Sequence, residues 1–413
     1  MKNKAGRVFA FVAWVLAPIA ILATEGMVVL GILGAFRLFF VGDVRRRLKA
    51  ELRSPLAGVL ALAIAWAAVA SIWSPNPLGA LHLAARIALI FLGGFTFLGA
   101  VRTLEPEDRH RLLGVFCAAG VIYLGCLALE LAESGVVTRI VHGRSLSEPF
   151  NYAFLNRGAV LLALFSWPFA HALSLRFGAK AAAIFTILVF LVLSRTIMAA
   201  APLAFLAGCL VFAIVRFRPR PALRALAVAL PLLIVFAPPA LILTGAATAP
   251  SVLETVESLP KKSGSATHRV LIAEFALSKI AERPWFGWGF NAARAIPGGK
   301  NLVMSGGYAM PLHPHNAVLH IWLELGFIGA LIGAGVAYAV LRRLVALAEV
   351  PTAAAFAAAL LVSYCAVAEV SFGLWQNWWV VSIWLTSAFA AIPIAEEISR
   401  IQAGRPPQPG PAL

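Results

Sequence analysis

Charge is scarce in this sequence. Only 13% of its 413 residues are charged, and the acidic ones number 18. A soluble globular chain carries about a quarter charged residues, so an ordinary water-facing surface is excluded. Cysteine is scarce as well. Cys117, Cys126, Cys209 and Cys365 all fall inside apolar runs, with no metal spacing and no loop placement, and read as buried thiols. No His-Glu-x-x-His motif and no Asp-rich metal motif occurs. Nor are there the alternating segments of about ten residues that mark a membrane β-barrel.

What is abundant is apolar surface. Hydrophobic residues make up 61% of the chain and mean hydropathy is +0.88. Many runs reach the length that crosses a hydrocarbon core of about 30 Å as a helix. Lipid offers no hydrogen-bond partners, so each crossing must satisfy its backbone internally, as a helix does. The expected fold class is an all-α polytopic membrane protein, one integral membrane domain over residues 1–413. Twelve spans are expected, at roughly 8–23, 26–41, 56–73, 81–101, 111–132, 157–175, 180–194, 197–215, 225–244, 316–341, 352–370 and 377–395.

The net charge of +16 does not point to nucleic acid, because the basic residues alternate with the spans. Lys2, Lys4 and Arg7 precede the first, and residues 43–53 (DVRRRLKAELR) follow the second. Arg102, Arg109 and Arg111 follow the fourth, Arg176 and Lys180 the sixth, and residues 216–224 (RFRPRPALR) the eighth. Arg342 and Arg343 follow the tenth, and Arg400 and Arg405 the last. Every second connection is basic, which the positive-inside rule assigns to the cytoplasmic face. Both termini are then expected to be cytoplasmic, with the first span retained rather than cleaved as a signal peptide.

The opposite face has short connections except for two, at roughly 133–156 and 245–315. The second is too long for a simple turn and is read as a large periplasmic loop with structure of its own. Within it Ile272, Phe275, Ala276 and Ile280 fall on one helical face. Pro284 should end that helix, residues 264–268 (GSATH) read as flexible, and Trp285, Phe286 and Trp288 form an aromatic cluster suited to an interface or a sugar. Arg139, Arg144, Lys261, Lys262, Lys279, Arg294 and Lys300 read as loop charges facing water. Three arginines stand out on this face: Arg157 at the start of the sixth span, Arg195 in the very short connection between the seventh and eighth, and Arg269 at the start of the loop helix. Each is either an ordinary helix-end or snorkelling charge or part of a cluster of permanent cations. Arginine forks grip phosphate oxygens in bidentate fashion.

Residues 313–329 (HPHNAVLHIWLELGFIG) carry three histidines at the mouth of the tenth span. A metal site would need three or four ligands from His313, His315, His320 and Glu324, and His313 and His315 cannot share one helical face. A proton relay would want a pattern among Glu130, Glu324 and Glu369, and none is legible. A wet helix end, or a general base at neutral pH, remains open. Gly326, Gly329, Gly333 and Gly335 read as small residues that let a neighbouring helix approach.

His315, Asn316, Gly326 and Gly329 fit a His-Asn-x9-Gly-x-x-Gly signature, and here the chain resembles the bacterial O-antigen ligases, within the wider O-antigen ligase and polymerase superfamily. Residues 269–290 resemble that family's Arg…helix…Pro-x-x-Gly-x-Gly segment, with Arg269, Pro284, Gly287 and Gly289 in place. Residues 72–86 (IWSPNPLGALHLAAR) resemble its early Ser-x-x-Pro loop, and Arg195 in LSRT matches its arginine between the seventh and eighth helices.

The resemblance implies a glycosyltransferase of the inner membrane acting at the periplasmic face in lipopolysaccharide biosynthesis. It would take a glycan from undecaprenyl pyrophosphate and join it to a sugar hydroxyl of lipid A–core oligosaccharide. It implies an inverting mechanism without metal or other cofactor. His315 would be the catalytic base, Arg195 and Arg269 would bind the pyrophosphate, and Arg157 would do so less firmly. His313 and Asn316 would support His315. An O-antigen polymerase or a protein O-oligosaccharyltransferase would share donor and fold. A lipid or glycan transporter is the alternative of another class, and would call for internal repeats and broken helices.

Overall fold

The computed structural model describes residues 3–245, 264–303 and 307–404. Among these residues the regular structure is helical, with no strand. In chain order the helices are α1 (Lys4–Leu22), α2 (Gly26–Phe39), α3 (Gly42–Leu52), α4 (Pro55–Ala70), α5 (Pro77–Val101), α6 (Pro106–Ala132), α7 (Val136–Val141), α8 (Asn156–Phe177), α9 (Ala179–Leu193), α10 (Ala200–Phe217), α11 (Pro219–Thr244), α12 (Gly264–Glu282), α13 (Ala317–Val345), α14 (Pro351–Val370) and α15 (Asn377–Gln402). Proline supplies the first residue of α4, α5, α6, α11 and α14, where its missing N–H costs nothing and its fixed φ suits the first turn.

All twelve expected spans are helices, and the chain is a multi-pass membrane protein. Ten of the described helices are long and apolar enough to cross a bilayer. Two of the expected spans are shorter. α9 has 15 residues. α2 has 14 and turns by 109° into α3. Residues 43–53, read as a basic connection, are therefore mostly helix. α3 buries Val44, Leu48 and Glu51 and exposes its arginines.

α8 is the axis of the bundle and is buried along nearly its whole length. Phe165 and Phe169 on α8 pack with Phe116 of α6 and Phe389 of α15, and Phe116 stacks on Phe389 at 4.5 Å. Trp167 donates its indole N–H to Ser363 of α14. Gly208 lets α10 lie against α14, since a Cβ there would meet Ser363 Oγ at 2.3 Å.

The basic ends of the helices meet at one end of the bundle. Glu51, 3% exposed, accepts Arg102 at 2.6 Å and lies 3.7 Å from Arg343. Glu396 joins Arg400 at 3.0 Å and Arg109 at 3.5 Å. Half-buried partners of this kind hold arginine stems across helix ends, a task beyond topology. At the other end Arg157 pairs with Glu25 at 2.7 Å.

Two readings of the sequence are corrected there. Arg139 does not face water. It is 6% exposed and donates to the carbonyls of Ser134, Ser145 and Leu146, closing the 133–156 connection on itself. Arg144 lies over the Phe154 ring at 4.4 Å. Glu130 accepts the N–H groups of Val137 and Thr138, so it caps α7. The stretch 264–268, expected to be flexible, begins α12. Ile272, Ala276 and Ile280 of α12 are buried against Ile234 and Val235 of α11 and Leu319 and Leu323 of α13.

Candidate active site

Asn316 begins α13 by capping it: its Oδ1 accepts the Leu319 N–H at 2.8 Å, satisfying one of the free donors of a helix start. Its Nδ2 donates to the Glu369 carbonyl at 3.3 Å. His315 precedes this cap with φ +54, a left-handed conformation that non-glycine residues rarely adopt. Two hydrogen bonds hold it there. The His315 main-chain N–H donates to His313 Nδ1 at 3.2 Å. The His315 ring places Nδ1 at 2.5 Å from the Ser371 carbonyl oxygen.

A carbonyl can only accept, so Nδ1 of His315 carries the proton. Nε2 is left with its lone pair free. Burial lowers the pKa of this imidazole, opposed by the Ser371 carbonyl and reinforced by the nearby charges of Arg269, His268 and His320. The ring is thus a neutral imidazole near pH 7 with one accepting nitrogen. His313 is 6% exposed. Burial, with His315, His320 and Arg294 around it, pushes it down to about 2. Its ring centroid is 4.2 Å from that of His315 and 6.1 Å from that of His320.

The back wall of the site is the connection between α14 and α15, residues 371–376. Ser371 holds His315, and Gly373 lies so close to His313 that a Cβ would meet its ring at 2.8 Å. The Leu374 N–H donates to His320 Nδ1 at 3.3 Å, and the Trp375 indole donates to Glu324 at 2.8 Å. His320 therefore carries its proton on Nε2, which lies 3.2 Å from Glu324 Oε1. The histidine that had no role in the sequence reading links this connection to a buried carboxylate.

α13 is not the continuous helix that was expected. Gly326, at φ 66 and ψ −163, breaks it. The part after the break, residues 327–345, is by itself long enough to cross about 30 Å. The main chain after Pro284 enters the break. Trp288 and Gly289 donate to the Leu323 and Glu324 carbonyls at 2.8 and 3.0 Å, and Phe327 and Ile328 donate back to Pro284 and Trp285 at 2.8 and 3.4 Å. The Trp66 indole takes the Leu325 carbonyl at 3.1 Å. Groups freed by the broken helix are thus satisfied by main chain and by one indole N–H.

No side chain fits here. A Cβ on Gly326 would lie 2.4 Å from the Trp285 oxygen, and one on Gly287 would lie 2.5 Å from the Glu324 carbonyl carbon. One on Gly289 would lie 2.5 Å from Ser74 Cα. This corrects the reading of Gly326 as a helix-packing residue. Gly333 and Gly335 do face neighbouring helices, with Ile234 of α11 at 3.7 Å and Val59 of α4 at 3.4 Å from their Cβ positions.

The arginines are distributed around this centre. Arg269 is close enough to His315 for its charge to be felt, and burial lowers its own pKa. Arg157 lies over the Trp378 ring at 5.2 Å, beside the 371–376 connection, while paired with Glu25. Arg195 is exposed in the α9–α10 turn. Gly208 of α10 faces Ala359 and Ser363, and Val215 clusters with Ala354 and Ala355. α10 and α14 are therefore antiparallel, and this turn lies at the same end as Ser371. No hydrogen bond or ion pair joins Arg195 to His315 among the described residues. Lys261 and Lys262 lie outside the described residues. No group of three or more His, Cys, Asp or Glu side chains among the described residues is arranged to hold a metal ion.

Residues 181–334 match the family model described as O-antigen ligase. A Rickettsia conorii protein named "Putative polysaccharide ligase" is 27% identical over 341 residues, covering 79% of this chain and 77% of its own. A Rickettsia bellii protein of the same name is 27% identical over 368 residues, covering 86% and 83%. The family model and these relatives support the O-antigen ligase superfamily. They support a function of the O-antigen ligase type.

Three segments through which the sequence resembles this superfamily turn out to be one joint. The Ser74 loop packs on Gly289, Gly287 packs on the break at Gly326, and Trp288 and Gly289 donate to α13. Sequence reading missed residues 371–376, which touch all three histidines. No ligand spacing marks them; the only signal was a Gly-Leu-Trp-Gln-Asn cluster between two apolar spans. Arg294 is exposed, as expected of a loop charge, and its charge is also felt at His313.

Proposed function

We propose that this protein transfers a glycan from undecaprenyl pyrophosphate to a sugar hydroxyl of lipid A–core oligosaccharide, at the periplasmic face of the bacterial inner membrane. Both termini would lie in the cytoplasm, and residues 245–315 would form the large periplasmic loop of a single membrane domain. The observation that carries the reading is the bond from His315 Nδ1 to the Ser371 carbonyl. It leaves Nε2 as a free base of ordinary imidazole chemistry.

In this reaction Nε2 takes the proton of the acceptor hydroxyl as its oxygen attacks the anomeric carbon. The bond from that carbon to the pyrophosphate oxygen breaks, and undecaprenyl pyrophosphate leaves with the electron pair. A single displacement of this kind inverts the anomeric centre. Negative charge grows on the leaving group, so fixed cations there act chiefly in the transition state. Arg269 and Arg195 would supply them, with Arg157 joining once it releases Glu25. Permanent guanidinium charge would do the work often given to a divalent cation, and the mechanism uses neither a metal nor a cofactor. Asn316 would fix the helix start, and His313 would hold the main chain of His315.

The names of the Rickettsia relatives support a ligase over a polymerase or a protein O-oligosaccharyltransferase. Breaks such as that at Gly326 also occur in transporters, but this one is filled by main chain and offers no open polar site. The deciding experiment reconstitutes purified protein with lipid-linked glycan and, separately, lipid A–core, a second lipid-linked glycan and a Ser/Thr peptide. Extension of lipid A–core alone is expected; extension of either other acceptor instead would replace this reading.

A further inference from the structure

Glu324 is 1% exposed and surrounded by donors. Its Oε2 accepts the Asn291 N–H and the Trp375 indole N–H, both at 2.8 Å. Its Oε1 accepts the Ala293 N–H at 3.0 Å and lies 3.2 Å from His320 Nε2. Three N–H donors thus bond to one carboxylate, and the His320 ring stands beside it as a fourth polar neighbour. They come from three segments: the loop that follows Gly289, the 371–376 connection, and α13 itself.

His320 extends the clamp by one more step. Its Nδ1 accepts the Leu374 N–H, which leaves the proton on Nε2, 3.2 Å from Glu324. The carboxylate therefore grips the 371–376 connection twice, through Trp375 directly and through Leu374 by way of His320. That connection ends on Ser371, whose carbonyl decides which nitrogen of His315 carries the proton. The same carboxylate holds the N–H groups of Asn291 and Ala293, in the segment that carries Arg294, whose charge is felt at His313.

We propose that Glu324, with His320, is a positioning residue for His315, holding the Ser371 carbonyl on Nδ1 so that Nε2 stays the accepting nitrogen. This rests on the reading of His315 as the base. Neither Glu324 nor His320 touches the free Nε2; they act through the connection. A glutamine at 324 would keep the volume but present one accepting oxygen and an NH2 group to the three N–H donors and the His320 ring. The connection would then lose its hold, and His315 would exchange between its two neutral tautomers. Misplacement of a reacting group by about 1 Å costs about 10²-fold in rate.

The test uses full-length protein in detergent with a lipid-linked glycan donor. Glu324→Gln is expected to lower kcat about 10²-fold while donor KM stays unchanged. The ¹⁵N spectrum of the His315 ring, fixed as Nδ1–H in the parent protein, should move toward a mixture of tautomers. Trp375→Phe removes one of the three N–H donors without adding any, and should lower kcat in the same direction by a smaller factor. It decides the matter if Glu324→Gln does not fold. Unchanged kcat in a folded variant overturns the proposal. So does a loss carried by KM, or a loss with the His315 ring still wholly Nδ1–H. If His315→Ala is inactive while Glu324→Gln and Trp375→Phe are normal, only the positioning role falls. If His315→Ala is active, the base assignment falls and this proposal with it.

Discussion

The imidazole of His315 is tied to the main chain of a different connection, with Nδ1 at 2.5 Å from the Ser371 carbonyl oxygen. A ring held at one nitrogen and free at the other is oriented for proton transfer. The bond also offsets the left-handed backbone that His315 adopts.

His315→Ala should therefore leave a folded membrane protein that has lost transfer. General-base catalysis contributes typically about 10²–10⁴-fold, enough to erase O-antigen-bearing lipopolysaccharide from a null strain carrying the variant. Normal ladders on a gel would refute the assignment of the base.

The pH dependence has a definite sign. As the proposed base His315 would act in its neutral form, and burial keeps its pKa below the ordinary 6.5. Transfer should stay level down through pH 6.5 and fall only at lower pH. A kcat profile with its acid limb centred at 7 or above would contradict this. His313 and His315 are both neutral in the fold and take up protons on unfolding. Their contribution to stability is thus complete above about 6.5 and erodes as pH falls below it. Thermal melts between pH 7 and 4 would show the decline.

Arginine geometry, not charge alone, should matter at 195 and 269. A lysine keeps the charge but loses the two-pronged contact with phosphate. Arg195→Lys and Arg269→Lys should each lower kcat, by up to about 10²–10³-fold if the lost contact acts in the transition state. Full activity of Arg195→Lys in a reconstituted assay would favour a snorkelling side chain.

The glycines of the joint should be unequal. Gly326→Ala must hold a Cβ at positive φ, worth about 1–3 kcal/mol, and place it 2.4 Å from the Trp285 oxygen. Gly335→Ala meets only Val59 at 3.4 Å. The first should lower the melting temperature by several degrees and the second should scarcely move it; equal effects would contradict the joint.

Chelation provides a separate check. Treating purified protein with a strong chelator should leave transfer intact. Loss of activity restored by one particular metal ion would overturn the arginine-based mechanism.

Much of this was legible in the sequence because lipid imposes strict rules. Residues 157–175 and 352–370 could be read as spans, since a long apolar run has few other fates. Alternating arginines then ordered the connections, and Arg102 and Arg343 do meet at Glu51. His315 and Asn316 were legible through their spacing to Gly326 and Gly329. The break at Gly326 was not, because a glycine in an apolar helix looks the same whether it admits a neighbouring helix or a strand of main chain. Arg139 was misread for a similar reason: three carbonyl partners supplied by its own loop leave no trace in composition. Glu324 could be weighed only as a metal ligand or a relay member, because its partners Asn291, Ala293 and Trp375 are far away in sequence and mostly offer main chain.

The way the outer loop is fastened to α13 bears on how such a protein can diversify. Trp288, Gly289, Phe327 and Ile328 join the two segments through N–H and carbonyl groups alone, which every residue but proline provides. This part of the fastening therefore constrains a few glycines rather than side chains, while Glu324 adds a side-chain hold through Asn291 and Ala293. The side chains of Trp285 and Phe286, both exposed, take no part in these main-chain bonds, although Trp285 rests edge-on against Phe327 of α13. A lineage can thus vary side chains on this exposed face while the main-chain joint behind it stays in register.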